Sequence, residues 1–329
     1  MKFKSLLIAS LLAFSTNVVF GDVAVPYGEG SGKVDYFNYI RFPKLGDPYP
    51  SGPASFRSVG DSIWIADSNA CKLMEYNSSG KLLTEFSVLP KNLKSYIIDE
   101  KYNVPRRNMY IEDFAPVYDS EGKLISWWII DRTSRKLLNF SLDGNKIAEI
   151  NCDEFRQPFR IEVGKAGHLF IADKATRSIF IFTSEGKWVD NINWEWSGMA
   201  VAGADEKLYR LMYISEERKN MLVCTNLKGK VVKTQLLKVN NTLNPRLWWV
   251  DEEKGECVFS YTPGDGFKGF YKVVRVGLDG VVRGEGEITA PIKMNRFIDR
   301  SEYGYVYISK CNYFKAPEGN FEIVPYKLP

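Results

Sequence analysis

Three aspartates have a type and spacing that suit either catalysis or turn formation. Asp67, Asp131 and Asp173 each end an apolar run, and a glycine follows each of them thirteen residues later. A general acid or base is needed once in a chain, whereas a carboxylate that accepts hydrogen bonds from nearby backbone N–H groups can recur with each structural unit. The recurrence favours the structural role. Asp173→Ala is then expected to lower stability by about 1–2 kcal/mol and to leave ligand binding largely intact.

His168 is the single histidine of the chain. Zinc sites built from several imidazoles are therefore excluded. A serine hydrolase triad would have to recruit this same histidine, and no GxSxG pattern surrounds any serine. His168 falls where a hairpin is expected to turn, so we interpret it as a turn residue.

Arginine and tryptophan are concentrated in four short stretches that are expected to enter inner strands. Arginine forks bind carboxylates and phosphates through two hydrogen bonds, and tryptophan faces supply contact area at low entropic cost. The sequence thus predicts either a pocket for an anionic or sugar-like ligand or a peptide-binding face. Its predicted ligand-binding residues are Arg156, Arg160, Trp196, Arg246, Trp248 and Arg296.

The elements that would position these residues are revealed by an internal repeat. Residues 63–81, 128–146 and 169–187 share the apolar run, the aspartate and the distant glycine, and residues 207–230 and 257–281 are weaker copies. The glycines that close the successive copies are 64, 42, 43 and 51 residues apart. A period near 42 is typical of a four-stranded propeller blade.

The longest of these steps contains an additional segment at residues 87–110, and a short helix is expected at most over 91–101. Long loops of this kind on a rigid scaffold often carry binding sites.

The ring is expected to close with a strand from the N-terminal region. Residues 294–314 and 320–328 supply three strands of a last blade, which then lacks its fourth. The apolar stretch 33–42 is a strand candidate without another partner, and closure would remove open sheet edges. The sequence therefore predicts an all-β, six-bladed propeller as a single domain over 22–329.

The repeat units resemble NHL-type six-bladed propeller repeats, in which a strand ends in ADxxNxRIxxF before a polar-glycine turn. Asp67 with Asn69, Asp131 with Arg135, and Asp173 with Arg177 carry the resemblance. It is clear over about half of the chain, since the later units depart from it. The resemblance implies that the aspartate bridges a turn, with backbone N–H groups or the basic residue four positions on as donors. It implies no activity, because one fold hosts many functions.

A calcium-dependent hydrolase is the alternative that the fold leaves open. Gluconolactonase-like six-bladed propellers hold a divalent cation in the central channel through carboxylate and amide oxygens, which calcium prefers. The candidate ligands here are Glu112, Asp113 and Asp299, although they do not match that family's ligand set residue by residue. A sugar dehydrogenase on the same fold is a third option, for which the sequence specifies no quinone site.

Residues 1–21 have the features of a secretory signal peptide. Lys2 and Lys4 precede the short apolar stretch LLIASLLAF, and small residues follow it. The formal net charge of +4 falls to about +2 without these two lysines, so composition gives no argument for nucleic acid or for an anionic membrane. The five cysteines show no metal-ligand spacing and are expected to be mostly buried thiols.

These observations together favour a non-catalytic binding or interaction module, either for a small ligand or for a protein partner on one face. The chain is expected to be exported to the periplasm or the cell exterior without stable membrane insertion. No cofactor is expected unless the calcium alternative holds.

Overall fold

The described part of the chain forms six four-stranded antiparallel sheets and one two-stranded hairpin. A computed structural model describes residues 21–43, 50–102, 104–194, 198–217, 219–240, 242–264, 269–289, 293–301 and 305–328. No helix occurs within these ranges. The prediction of an all-β, six-bladed propeller is therefore confirmed. Most of the expected signal peptide lies outside the described residues.

Within the first three blades the strands are paired in the order of the chain. Blade one contains β2 (Ser55–Val59), β3 (Ser62–Asp67), β4 (Lys72–Asn77) and β5 (Leu82–Ser87). The hairpin β6 (Tyr96–Asp99) and β7 (Val104–Arg107) follows, and then blade two, with β8 (Ile111–Tyr118), β9 (Leu124–Asp131), β10 (Lys136–Ser141) and β11 (Lys146–Asn151). Blade three contains β12 (Pro158–Val163), β13 (Leu169–Asp173), β14 (Ser178–Phe182) and β15 (Trp188–Asn193).

The last three blades continue the pattern until the ring closes. Blade four contains β16 (Met199–Ala202), β17 (Lys207–Ile214), β18 (Lys219–Thr225) and β19 (Val231–Asn240). Blade five contains β20 (Thr242–Asp251), β21 (Glu256–Pro263), β22 (Phe270–Gly277) and β23 (Val282–Thr289). Blade six contains β24 (Ile298–Arg300), β25 (Val306–Lys310), β26 (Asn320–Tyr326) and β1 (Val23–Pro26).

Burial along each blade explains the hydrophobic pattern of the sequence. Every residue of β13 is buried, and four of the five residues of β14 are buried, because both faces of these strands pack against neighbouring blades. β15 is an outer strand, and only Ile192 is buried along it. Continuous apolar runs are typical of strands covered on both faces, so these runs mark the middle of a blade.

The repeated glycines lie in the turns between the third and fourth strands of blades one to five. Each has a φ between 69° and 82°, in the left-handed region where a Cβ is disfavoured. The glycine spacing thus identified five hairpins correctly: Gly80, Gly144, Gly186, Gly229 and Gly280.

The strand that closes the ring is β1, and it pairs antiparallel with β26. The prediction of closure by an N-terminal strand is confirmed, but its assignment to residues 33–42 is wrong. Val23 and Val25 are buried, whereas Ala24 and Pro26 are exposed, as expected for an outer strand with one face to solvent. Val34 and Phe37 are buried without joining a sheet, since they form isolated bridges to Tyr27 and Ser51.

The additional segment after blade one contains a β-hairpin where a short helix was expected. Tyr96 packs edge-on against Phe37 at 4.8 Å between ring centroids and against Phe42 at 6.0 Å. Ile97 and Ile98 on the same strand are exposed. This packing holds the hairpin against the segment that follows β1.

The five cysteines are free thiols, and Cys71, Cys224 and Cys257 are buried. This agrees with the prediction of mostly buried thiols. In the part of the chain that the structure describes, no helix is long and apolar enough to span a membrane.

Candidate ligand-binding site

The repeated aspartates bind backbone N–H groups on both sides of a blade entrance. Asp173 Oδ1 accepts hydrogen bonds from the N–H groups of Ala175 and Thr176 at 2.9 and 3.0 Å. Its Oδ2 accepts two more, from Arg156 and Gln157, both at 2.8 Å. The carboxylate therefore fixes the turn after β13 to the residues that lead into β12.

Asp67 and Asp131 perform the same task in blades one and two. Asp131 Oδ1 accepts from the N–H groups of Thr133 and Tyr110 at 3.0 and 3.1 Å. Asp67 Oδ1 accepts from Asn69 and Ala70 at 3.2 and 3.0 Å. Of the two donors that the resemblance implied, the backbone is the one observed.

The residues four positions after these aspartates adopt a left-handed backbone. The φ angles are 54° at Cys71, 58° at Arg135 and 53° at Arg177. They complete the tight turn by their conformation, which is uncommon for residues other than glycine.

A cavity of about 710 Å³ opens on the face where the inner strands begin. The turns after β9 and β13, the starts of β8 and β12, the middle of β20 and the residues before β24 contribute to its wall. We call it the cationic cavity because five basic side chains and one acidic side chain line it: Arg107, Arg132, Lys174, Arg246, Lys293 and Glu112.

Lys174 reaches the cavity directly after the repeated aspartate of blade three. Its Nζ lies 3.3 Å from the centroid of the Phe159 ring. Burial lowers the pKa of Lys174 to about 8; Glu112 opposes this effect, and the positive charges of Arg246 and Arg132 add to it. An anion beside Lys174 would oppose this repulsion and favour the charged form of the amine.

Arg246 is the second basic group that enters the cavity without an acidic partner among the described residues. Its guanidinium carbon lies 5.7 Å from the Phe297 ring centroid. Burial lowers the pKa of Arg246, and Tyr271 opposes this effect. Because arginine stays charged in proteins, this buried guanidinium favours an anion in the cavity.

Arg107 and Arg132 occupy the side of the cavity near Tyr110. Arg107 donates to the Ser51 hydroxyl at 2.7 Å and stacks at 4.9 Å from the Tyr110 ring centroid. Arg132 pairs with Glu112 at 3.2 Å. Glu112, the one acidic side chain among the described residues of the cavity wall, is therefore already paired with a positive charge.

A buried ion network begins at the residues that directly follow three residues of the cavity wall. Glu112, Phe159 and Asn295 line the cavity, and the residues that follow them are Asp113, Arg160 and Arg296. Arg296 contacts Asp113 Oδ2 at 3.3 Å, with both side chains buried.

Charge pairing governs the protonation of this network. Burial alone would raise the pKa of Asp113, but Arg296, Arg57 and Arg160 together hold it below its ordinary value. Burial would lower the pKa of Arg296, whereas Asp113 and Glu162 raise it. Ionised pairs thus fill the interior behind the cavity.

The structure separates the six predicted binding residues. Arg246 lines the cavity. Arg160 and Arg296 are buried in the ion network. Trp248 is buried, donates its indole N–H to Ser260 at 3.0 Å and packs at 4.6 Å from the Arg160 guanidinium carbon.

The remaining two predicted residues lie elsewhere. Arg156 is exposed, and its guanidinium donates to the carbonyl oxygen of Asp153. Trp196 lies outside the described residues.

The three predicted calcium ligands have protein partners. Glu112 pairs with Arg132, Asp113 accepts from Ser55 at 2.6 Å as well as from Arg296, and Asp299 accepts from the backbone of Ser58 at 2.8 Å. No group of three His, Cys, Asp or Glu that could hold a metal ion occurs among the described residues.

His168 lies in the turn between β12 and β13, as the sequence predicted. Its Nδ1 is hydrogen-bonded to the buried carboxylate of Glu206, which also accepts from the N–H of Ala166 at 2.6 Å. The pair links blades three and four and lies outside the cationic cavity.

Sequence reasoning missed most of the basic residues of the cavity. A usable signal was present, because Arg132 and Lys174 directly follow two of the repeated aspartates. Arg107 belongs to the hairpin outside the repeat, and Lys293 precedes the shortened inner strand of blade six. Neither of these positions has a counterpart in the repeat.

Comparisons with known proteins support the fold alone. No protein-family model matches the chain, and no curated protein matches its sequence. A member of the DUF4221 family from Bacteroides vulgatus has a TM-score of 0.52 at 12% identity, covering 94% of this chain and 97% of that one. Hydrazine synthase of Kuenenia stuttgartiensis has a TM-score of 0.50 at 11% identity, covering 80% of this chain and 76% of that one. A streptogramin B lyase has a TM-score of 0.49 at 16% identity, covering 89% of this chain and 97% of that one.

Proposed function

We propose that the protein binds a small anionic ligand in the cationic cavity and does so without catalysis. The observation that carries the proposal is the charge of the wall, where five basic side chains face one carboxylate that is already paired with Arg132. A concave site with low-dielectric walls strengthens the attraction of such groups for an anion.

The size of the cavity favours a small molecule over a peptide face. Its volume of about 710 Å³ lies within the range that small-molecule sites usually have. Tyr110, Phe159 and Tyr271 provide apolar contact area between the basic groups. An acidic side chain of a protein partner has the same chemistry, and we propose it as the second type of ligand.

Isothermal titration with citrate and inorganic phosphate tests the proposal. We expect at least one of them to bind, and to bind more weakly as salt is raised, because salt screens the charges. Arg246→Gln is expected to weaken binding at least tenfold, since it removes a guanidinium with no acidic partner in the described chain.

Arg283→Gln is the matched control, because Arg283 lies on the outer strand β23 near Asp279 at 3.6 Å. Its affinity should equal that of the unchanged protein. Equal losses in both variants, or no binding of either anion at millimolar concentration, would contradict the proposal.

We also propose that the repeats are of the NHL type and that the chain is exported. The first proposal is supported by the aspartate turns of blades one to three, and the second by the basic start and apolar stretch of residues 1–21. Mass spectrometry of the protein from its own cells tests export. A mature chain that begins at Asp22 in the extracytoplasmic fraction is expected, and an intact N-terminus in the cytoplasm would contradict it.

A further inference from the structure

The basic side chains of the cationic cavity come from opposite sides of the ring. β8 packs against β2 and β12, and β20 packs against β16 and β24. Blades two and five are therefore three positions apart in a ring of six blades, so they lie across the channel from each other. Arg132 belongs to blade two and Arg246 to blade five, and both line the cavity. The cavity thus has a positive charge at each of two opposite ends.

Both of these arginines are accessible to a ligand in the cavity. The side chain of Arg132 is 51% exposed, and Arg246 is partly exposed. Arg132 donates to Glu112 through Nη1 at 3.2 Å. Because a guanidinium carries five N–H donors, the same group can also bind a carboxylate or phosphate of the ligand.

The other basic side chains of the wall lie at or between these two ends. Arg107 is next to Tyr110, just before blade two, and Lys293 comes just before blade six, which packs against blade five. Lys174 of blade three is within electrostatic reach of both ends: its pKa is lowered first by burial and then, against the effect of Glu112, by the charges of both Arg246 and Arg132. One anionic group can contact only one of two ends that face each other across the channel.

We propose that the ligand of the cationic cavity is an elongated dianion that carries a carboxylate or a phosphate group at each end. One end of the ligand binds Arg132, and the other binds Arg246. Tyr110, Phe159 and Tyr271 line the wall between the basic groups and favour an apolar core in the ligand. This inference rests on the proposed anion-binding function and adds the number and the spacing of the negative groups.

Three compounds with the same benzene ring test the proposal in the unchanged protein. Terephthalate has carboxylates at opposite ends, phthalate has them side by side, and the monoamide of terephthalate has a neutral amide in place of one carboxylate. We expect terephthalate to bind at least about tenfold more tightly than either of the others by isothermal titration, because a hydrogen bond between charged groups contributes about that much. The biphenyl dicarboxylate with a carboxylate at each end, and its monoamide, repeat the comparison at a longer span, and one span that fits is sufficient.

Substitutions at the two ends test the assignment of the arginines. In Arg246→Gln and in Arg132→Gln, the ratio of the affinities for the dicarboxylate and its monoamide is expected to fall below about threefold, because one end has lost its charge. Arg283→Gln, on the outer strand β23, is the matched control and should keep a ratio of about ten. An unchanged ratio in both cavity variants would overturn the assignment. If Arg246→Gln does not fold, the exposed Arg132 and the compounds in the unchanged protein still decide the matter.

The outcomes separate this inference from the function on which it rests. Dicarboxylates that bind no more tightly than their monoamides would overturn the second negative group, and phthalate that binds as tightly as the better dicarboxylate would overturn the spacing. In either case, binding of citrate or inorganic phosphate leaves the anion-binding function standing, whereas no binding of any of these anions would overturn both. Para-phenylenediphosphonate distinguishes the two sources: tighter binding than terephthalate indicates phosphate ends, and weaker binding indicates carboxylate ends.

Discussion

Lys174 shows how a structural residue can determine the position of a binding residue. Asp173 fixes the backbone of the turn through four N–H groups, and the N–H of Lys174 itself donates to Gln157 at 3.0 Å. The side chain that follows the aspartate is thereby directed into the cavity. Arg132 follows Asp131 in the same way, so the repeat supplies cavity residues one position after its most regular feature.

Anion affinity is expected to fall as pH rises through about 8. The protonated amine of Lys174 attracts the ligand, and its pKa of about 8 means that the proton is lost between pH 7 and 9. If the ligand binds only when Lys174 is protonated, a single group with a pKa of about 8 gives an affinity drop of about tenfold from pH 7 to 9. Titration calorimetry at fixed ionic strength measures it.

Lys174→Arg provides the control for this pH dependence, because arginine stays charged throughout. Tyr110 does not contribute between pH 7 and 9, since burial raises its pKa to about 12. A steep dependence that persists in Lys174→Arg would assign the proton to another group.

Asp173→Ala is expected to lower the free energy of unfolding by at least about 2 kcal/mol, because four backbone donors lose a charged acceptor. Denaturation with urea measures the loss, and Asp153→Ala, an exposed aspartate of the same blade, is the control. Ligand affinity should fall less than in Arg246→Gln, since the N–H of Lys174 keeps its bond to Gln157. Abolished binding in a folded Asp173→Ala protein would contradict the structural role.

At the scale of elements, the sequence predicts hairpins well and the first strand poorly. The aspartate and glycine positions are local turn requirements, so they identify β3, β4, β9, β10, β13 and β14 directly. The choice between Val23–Pro26 and residues 33–42 as the closing strand depends on contacts with β26, about 300 residues away. Apolar content could not distinguish them, because both segments contain buried apolar residues.

The difference between local sequence signals and contacts in the folded ring also explains which site residues were predicted. Arg246 was found because it enters β20, the inner strand of blade five. Arg160 and Arg296 directly follow the cavity residues Phe159 and Asn295 and are buried behind the cavity. Arg156 was grouped with them by its neighbourhood in sequence, but its side chain turns back to Asp153.

Val25→Asp is expected to destabilise the ring by at least about 3 kcal/mol, because it buries an unpaired charge in the closing strand. Val25 is fully buried, whereas Ala24 beside it is exposed. Ala24→Asp is therefore the control and should change stability by less than about 0.5 kcal/mol. Thermal unfolding followed by circular dichroism compares the two, and equal stabilities would contradict closure by β1.

At the scale of the molecule, ionised pairs lie inside the ring. A calcium-dependent hydrolase of the gluconolactonase type would need a cation in the same place. Asp113 binds Arg296, Arg57 contacts Glu162 at 3.0 Å, and the pKa of Glu162 stays below its ordinary value, because the attraction of these arginines exceeds the effect of burial. Removing either partner would leave a buried charge unpaired, which is strongly destabilising.

Calcium and chelator are expected to leave the melting temperature unchanged within about 1 °C, because a ligand that binds only the native state would raise it. A thermal-shift titration with calcium chloride and with EDTA measures this. A calcium-dependent rise that EDTA reverses would instead support the calcium-dependent hydrolase.

The pairing of β1 with β26 also has a consequence for how the protein folds. Val23 lies opposite Ile323, so blade six cannot be completed until about 300 residues after β1 have been synthesised. Until then β1 has no partner strand, and its unpaired backbone N–H and C=O groups invite association with other chains. Contacts of such long sequence separation form slowly. Completion of blade six is thus expected to be the late step of folding, and the stage at which the nascent protein is most exposed to aggregation.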